Sequence, residues 1–260
     1  MKVVILCGGL GTRLREETEY RPKPMVAIGT KPILWHIMKL YSYYGFNDFI
    51  LCLGYKGNII KEYFYNYEIF NNDFTIQLGQ RSSVKIHNSH SEAGWKITLV
   101  DTGEKALKGA RLKKIEKWID SDNFFVTYGD GLANININSL ADFHEKHGKI
   151  ATLTGVMPPS RFGNLVVNED NVVEEFIEKP QTTGQYVNGG FFVLNKRIFD
   201  YLTTDDSCEL EIGTLDKLAE EGELVMYRHP KEWMCMDTIR DVEYLNNLWS
   251  SNKAFWKIWE

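Results

Sequence analysis

Residues 3–25, VVILCGGLGTRLREETEYRPKPM, join an apolar β-forming run, a glycine-rich turn and a lysine held between two prolines. The run Val3-Val4-Ile5-Leu6-Cys7 shows no alternation of polar and apolar positions, which predicts a strand buried on both faces. Glycines directly after such a strand let main-chain N–H groups approach an anion closely. Arg13 and Lys23 can add full positive charge, and Pro22 and Pro24 stiffen the chain around the lysine. The stretch is neither of the two commonest phosphate loops. A dinucleotide fingerprint needs a third glycine where Leu14 stands, and no Gly-Lys-Ser/Thr follows the turn. For the glycines alone, an ordinary strand-to-helix turn is the simpler reading; the whole spacing favours anion binding.

The same alternation of element types continues along the chain. Ile33, Leu34, Ile37, Met38, Tyr41 and Tyr44 recur at helical spacing over 31–44, with Pro32 in the first turn and Gly45 after the end. A buried strand is predicted over 48–53 and a second helix over 59–67. Further strands are expected at 97–100, 124–128 and 151–156, and helices near 109–119, 138–147, 215–221 and 239–249. This rhythm predicts an α/β, Rossmann-like, mostly parallel mixed sheet with helices on both faces. The whole chain, 1–260, reads as one domain. An inserted hairpin or flap, rich in Asn, Ser and Gln, is expected over 67–95, several short strands over 164–194, and a helix and tail over 238–260. Phe255, Trp256 and Trp259 in that tail should dock on this core or on another subunit.

Composition narrows the function classes. Hydrophobic residues make up 43% of 260, enough for a sizeable core, and the net charge of −5 argues against a general nucleic-acid binder. No apolar run is long enough to span a bilayer and the N-terminus carries no signal-peptide pattern, so a cytoplasmic location without membrane partners is expected. Cys7, Cys52, Cys208 and Cys235 form no C-x-x-C pair. His144 and His147 stand one residue short of a zinc-helix pattern and read as structural.

The loop and its surroundings resemble the sugar-phosphate nucleotidylyltransferases. GGLGTRL and RPKPM carry the likeness, together with GYKG at 54–57, VDTG at 100–103, GARLKKI at 109–115, YGDG at 128–131 and RFG at 161–163. It continues through EKP at 178–180, NGGFFVL at 188–194 and MDTIRD at 236–241, and so covers essentially the whole chain. PILWHIMKLYSYYG, LVDTG and the terminal W-K-x-W-E point to the branch that uses CTP. The resemblance implies transfer of a cytidylyl group from CTP to glucose 1-phosphate with release of pyrophosphate, by a homo-oligomer such as a hexamer. It implies Arg13, Lys23, Asp130 and Asp237 as the catalytic set, with Mg²⁺ on Asp130 and Asp237. Taken alone, Asp130 reads as an Asp-Gly turn and Asp237 as a helix N-cap.

The resemblance also assigns substrate contacts to Leu6, Gly8, Gly9, Leu10, Gly11, Thr12, Arg13 and Lys23, and to Tyr128 and Gly129. Thr102 and Gly103 are implied as the base-reading turn, and Arg111 as a nucleotide contact. Lys179 is implied for the sugar phosphate and Glu178 for the sugar hydroxyls. Asn188 and Gly189 are implied as the floor under the sugar ring, although two glycines in a strand more often mark a bulge. One departure stands out. The family usually reads Glu-x-Glu-Pro-Leu where this chain has Glu211-Ile212-Gly213-Thr214-Leu215. The nucleotide half is therefore better fixed than the acceptor sugar. A non-catalytic sugar-nucleotide sensor and a dinucleotide-dependent oxidoreductase are the rival classes; the first conflicts with retention of both aspartates and Lys23, the second with Leu14.

Overall fold

A computed structural model describes residues 1–79, 83–158, 163–177 and 185–260. Its centre is a seven-stranded sheet. In chain order the strands are β1 (Val3–Leu6), β2 (Asp48–Leu53), β3 (Lys96–Asp101), β4 (Asn123–Tyr128), β5 (Ala151–Val156), β6 (Val187–Asn195) and β7 (Leu224–His229). The spatial order is β7-β5-β6-β4-β1-β2-β3. β1 is parallel to β2 and β4, β2 to β3, and β5 to β7; β6 runs antiparallel to both β4 and β5. The expected mostly parallel mixed sheet is therefore what forms.

Successive residues of β1 point to opposite faces. Val3, Ile5 and Cys7 join one core with the helix Ile33–Tyr43, while Val4 and Leu6 join the other with Leu112, Ile115 and Ile198. Both sets are almost wholly buried. That explains the unbroken apolar run: a strand covered on both sides has no polar face to display.

The structure differs from expectation in three places. Within 164–194, Asn164–Val167 and Val173–Ile177 do form a short antiparallel pair, but the third strand, Val187–Asn195, is nine residues long and central. Its Gly189-Gly190 start resembles a break, and the partner strand β5 shifts register there between Leu153 and Gly155. β7, LVMYRH, was not anticipated, because only one of its edges is paired and most of its side chains are half-buried. The region 67–95 begins with a short helix, Tyr67–Asn71, before the hairpin Phe74–Ile76 with Val84–Ile86.

The tail settles on its own chain. Trp256 has no exposed surface; its indole N–H donates to His36 Nδ1 at 3.3 Å, beside Trp249.

Candidate functional site

β1, β4 and β6 direct a group of polar side chains to one end of the sheet. Gly11, at φ +64°, lets the chain after β1 turn into the short helical segment Thr12–Leu14. Gly9, Leu10, Thr12 and Arg13 stand exposed at the loop tip, whereas Gly8 lies buried beneath it. A Cβ on Gly8 would lie 2.0 Å from the Arg111 guanidinium. Gly129 is equally constrained, since a Cβ there would meet Pro24 at 2.8 Å and the Leu6 carbonyl at 3.1 Å. The Pro-Lys-Pro turn is thereby pressed against the end of β4, and Lys23 is 8% exposed.

Lys23 Nζ donates to Asp130 Oδ2 and to Asp237 Oδ1, each at 2.6 Å. Arg13 Nη1 donates to the other oxygen of Asp237 at 2.6 Å, and the Cys235 thiol reaches that oxygen at 3.1 Å. Two aspartates far apart in sequence thus meet on one ammonium. A small antiparallel ladder, Gly131–Ala133 with Trp233–Cys235, brings them together, and Met236 N donates to Asp130 O at 2.9 Å. Burial opposes the charge on Lys23, but Asp130 and Asp237 outweigh it and raise its pKa above the usual lysine value. Burial likewise opposes ionisation of Asp237, yet the bonds from Lys23 and Cys235 and the charges of Lys23 and Arg13 hold it below the usual carboxylate range.

Arg111 sits in the floor of the cleft. Its Nη1 donates to Leu53 O at 3.0 Å, Thr102 Oγ1 at 2.8 Å and Gly103 O at 2.8 Å. Its Nη2 donates to Gly8 O at 3.0 Å and Glu104 O at 3.2 Å. The terminal amino groups are spent on protein acceptors, so Arg111 ties the glycine loop to the 101–104 turn. Thr102 Oγ1 donates to Leu53 O at 2.7 Å, Asp101 Oδ1 accepts from Gly103 N at 3.0 Å, and Gly103 has φ +95°. Gly54 of the GYKG motif is also explained, because a Cβ there would strike the same guanidinium.

On the opposite wall Tyr128 donates to Glu211 Oε1 and accepts from Asn188 Nδ2 at 3.1 Å. Lys108 pairs with Glu211 at 2.6 Å and lies over the Tyr128 ring. Burial opposes the charge of Glu211, but its bonds, with those from Lys108 and Tyr128 among them, keep it below the usual carboxylate value. Burial and the neighbouring Glu211 raise Glu209. Gly189 accepts from Trp233 Nε1 at 2.7 Å, and a Cβ on it would strike Val156. Glu178 and Lys179 lie outside the described residues.

Leu6, Gly9, Lys23, Lys108, Tyr128 and Asp130 are among the residues that line a cleft of about 460 Å³. That volume suits a small-molecule site. A larger cavity of about 710 Å³ lies at the β3 edge beside Tyr65 and Trp95, but it contains none of the loop, the lysine or the paired aspartates. The sequence did not single out Lys108 or Glu209. Lys108 opens an ordinary-looking helix, and only the fold shows that its first turn faces the cleft. His144 and His147 both bond to Thr152 Oγ1, and burial lowers His144 to about 4.

A phosphate-type loop after β1, a cation beneath it and two carboxylates beyond the strand ends are the parts of an α/β nucleotide-handling protein. The chain belongs to the nucleotidyl transferase family, whose pattern matches residues 2–255. It is 50% identical over 261 residues to the glucose-1-phosphate cytidylyltransferase of Salmonella typhimurium, covering 100% of both chains. It is 46% identical over 259 residues to a protein of Bacillus subtilis described as a probable glucose-1-phosphate cytidylyltransferase, again over 100% of both. Its fold matches that of HddC from Yersinia pseudotuberculosis, solved in complex with GMP-PN, with a TM-score of 0.69, 24% identity, and coverage of 95% of this chain and 99% of that one.

Proposed function

We propose that the protein transfers the cytidylyl group of CTP to α-D-glucose 1-phosphate, giving CDP-glucose and pyrophosphate. A phosphate oxygen of the sugar phosphate bonds to the α-phosphorus of CTP, and the bond from that phosphorus to the bridging oxygen of pyrophosphate breaks. The nucleophile is already an anion, so the chain's task is to offset repulsion and hold the reacting atoms in line. The observation that carries the reading is Lys23 clasped between Asp130 and Asp237 beside the glycine loop.

In this reading Gly8, Gly9, Leu10, Gly11 and Thr12 present main-chain N–H groups to the triphosphate, and Arg13 and Lys23 neutralise it. Leu6, Tyr128 and Gly129 line the approach. Thr102 and Gly103 read the base, with Arg111 holding their turn in place. Lys179 takes the sugar phosphate and Glu178 its hydroxyls, with Asn188 and Gly189 behind the ring.

The donor set also fits a divalent ion. Asp130 and Asp237 converge closely enough to share one cation, the Lys23 ammonium. Among the described residues no group of three His, Cys, Asp or Glu side chains is placed to hold a metal ion, which fits a Mg²⁺ that takes its other ligands from phosphate and water. Bound there, Mg²⁺ would stabilise negative charge on the transferring phosphoryl group.

The proposal includes a cytoplasmic working site and a homo-oligomer such as a hexamer. No helix of the described residues is long and apolar enough to cross a membrane. The exposed flap residues Phe74, Ile76, Leu78 and Val84 support a contact between copies. The decisive measurement is pyrophosphate release with each ribonucleoside triphosphate and dTTP against a panel of sugar 1-phosphates. CTP with glucose 1-phosphate should give the highest kcat/KM. A different best pair would replace the substrate assignment, and no release with any pair would leave a sugar-nucleotide sensor.

A further inference from the structure

The C-terminal helix, Ile239–Ser250, touches both sides of the Lys23–Asp237 contact. At its start Asp241 Oδ2 accepts from the main-chain N–H groups of Asp237, at 2.9 Å, and Thr238, at 2.8 Å. Thr238 Oγ1 in turn accepts from Asp241 N at 3.3 Å, completing a capping box. The backbone of Asp237 is thus fastened to the first turn. Further along, Asn246 lies about 10 Å down the axis at 1.5 Å per residue. Its Oδ1 accepts from Gly29 N at 2.9 Å and its Nδ2 donates to Ala27 O at 3.2 Å and to Val242 O at 2.9 Å. The Ala27–Ile28 segment follows Lys23 by one helical turn, and Val26 N bonds back to Lys23 O at 3.1 Å. Gly29, at φ +62°, approaches the helix so closely that a Cβ would meet the Trp249 indole nitrogen at 2.3 Å.

We propose that Asn246 is a positioning residue for the transfer reaction, setting the segment that carries Lys23 at a fixed distance from the helix end that carries Asp237. One rigid element holds both partners. The two amide arms are both required, because they grip consecutive peptide units of the segment from opposite polarities. The bland alternative is that the same bonds merely dock the C-terminal arm. The two differ in what fails when the bonds go: docking bonds lower stability, whereas positioning bonds lower turnover in a protein that remains folded.

The inference rests on the nucleotidyl transfer proposed above, and two readouts keep their failures apart. Asn246→Ala should lower kcat by about 10- to 100-fold, with KM for both substrates within about twofold. Binding of Mn²⁺ in the presence of CTP but without sugar phosphate, followed by electron paramagnetic resonance, should weaken several-fold. This second readout needs no turnover, so it stands even if the acceptor sugar is misassigned. Asn247→Ala, on the exposed neighbouring position, is the control and should change neither. Should Asn246→Ala fail to fold, Asn246→Asp keeps the acceptor for Gly29 N–H and loses the donor to Ala27 O. It should also reduce kcat and Mn²⁺ affinity. A lowered melting temperature with kcat and Mn²⁺ affinity unchanged, in whichever variant folds, would overturn the proposal and leave Asn246 a docking residue.

Discussion

Lys23 holds its place by satisfying two acids at once, and its removal has separable effects on rate and on stability. Lys23→Ala should lose about 3 kcal/mol of transition-state stabilisation, roughly a hundredfold or more in rate. Lys23→Met keeps the volume but leaves Asp130 and Asp237 facing each other across the space the ammonium filled. Breaking such an ion pair costs roughly 3 kcal/mol. We expect the melting temperature of Lys23→Met to drop in EDTA and to recover with added Mg²⁺ far more than that of the native protein. An equal response of the two proteins in thermal denaturation would argue against a shared cation position. The pH dependence follows from the same groups. The pKa of Asp237 is lowered on folding, so its contribution is present above the ordinary carboxylate value and is lost as pH falls through the lowered one. That of Lys23 is raised, so its contribution is present below the ordinary lysine value and is lost only as pH rises past the raised one. Native stability should therefore decline on the acid side, and Asp237→Asn should flatten that decline in urea midpoints measured between about pH 2 and 5.

At the level of elements, the helix Ile33–Tyr43 and the C-terminal arm form one packing unit. His36 is neutral, its pKa lowered to about 4 by burial. Its Nδ1 accepts the Trp256 N–H, so Nε2 carries the proton and bonds to Ile28 O at 2.9 Å. Trp256→Ala should cost about 3–5 kcal/mol, read as a shift in the urea midpoint; a loss below about 1 kcal/mol would mean that the tail rests on the core without supporting it. This scale also marks what the sequence could convey. Buried strands at 48–53 and 151–156 were legible to the residue because their apolar runs end sharply at turn residues. Val187–Asn195 was not recognised as central, since paired glycines that admit Tyr128 and Val156 look locally like an interruption. Arg13, Lys23, Asp130 and Asp237 were legible as candidates through their motifs. Their meeting was implied by the resemblance and not by the residues themselves, because it depends on pairing Gly131–Ala133 with Trp233–Cys235, two three-residue strands with no periodicity of their own. Lys108 and Glu209 gave no local signal at all, being ordinary charged residues until the fold turns them inward.

For the whole molecule, the flap is left uncovered by its own chain among the described residues, as is the hairpin of Asn164–Val167 with Val173–Ile177. Leu78 is 86% exposed and Ile76 53%, on a hairpin whose ladder pairs only with itself among the described residues. An apolar edge of this kind is normally covered. Replacing Ile76 with Lys and Leu78 with Glu should lower the sedimentation mass while leaving the far-ultraviolet spectrum intact, and an unchanged mass would place the contact between copies elsewhere. The small ladder beside the cleft has a further consequence during biosynthesis. Its second strand is synthesised long after its first, so Asp130 and Asp237 cannot be brought together until Cys235 has left the ribosome. The sheet can begin to assemble around β1, β2 and β4 long before that. Closing so distant a pairing is a slow, late event, and a prematurely terminated polypeptide should accumulate as an inert, partly ordered species with no partial turnover.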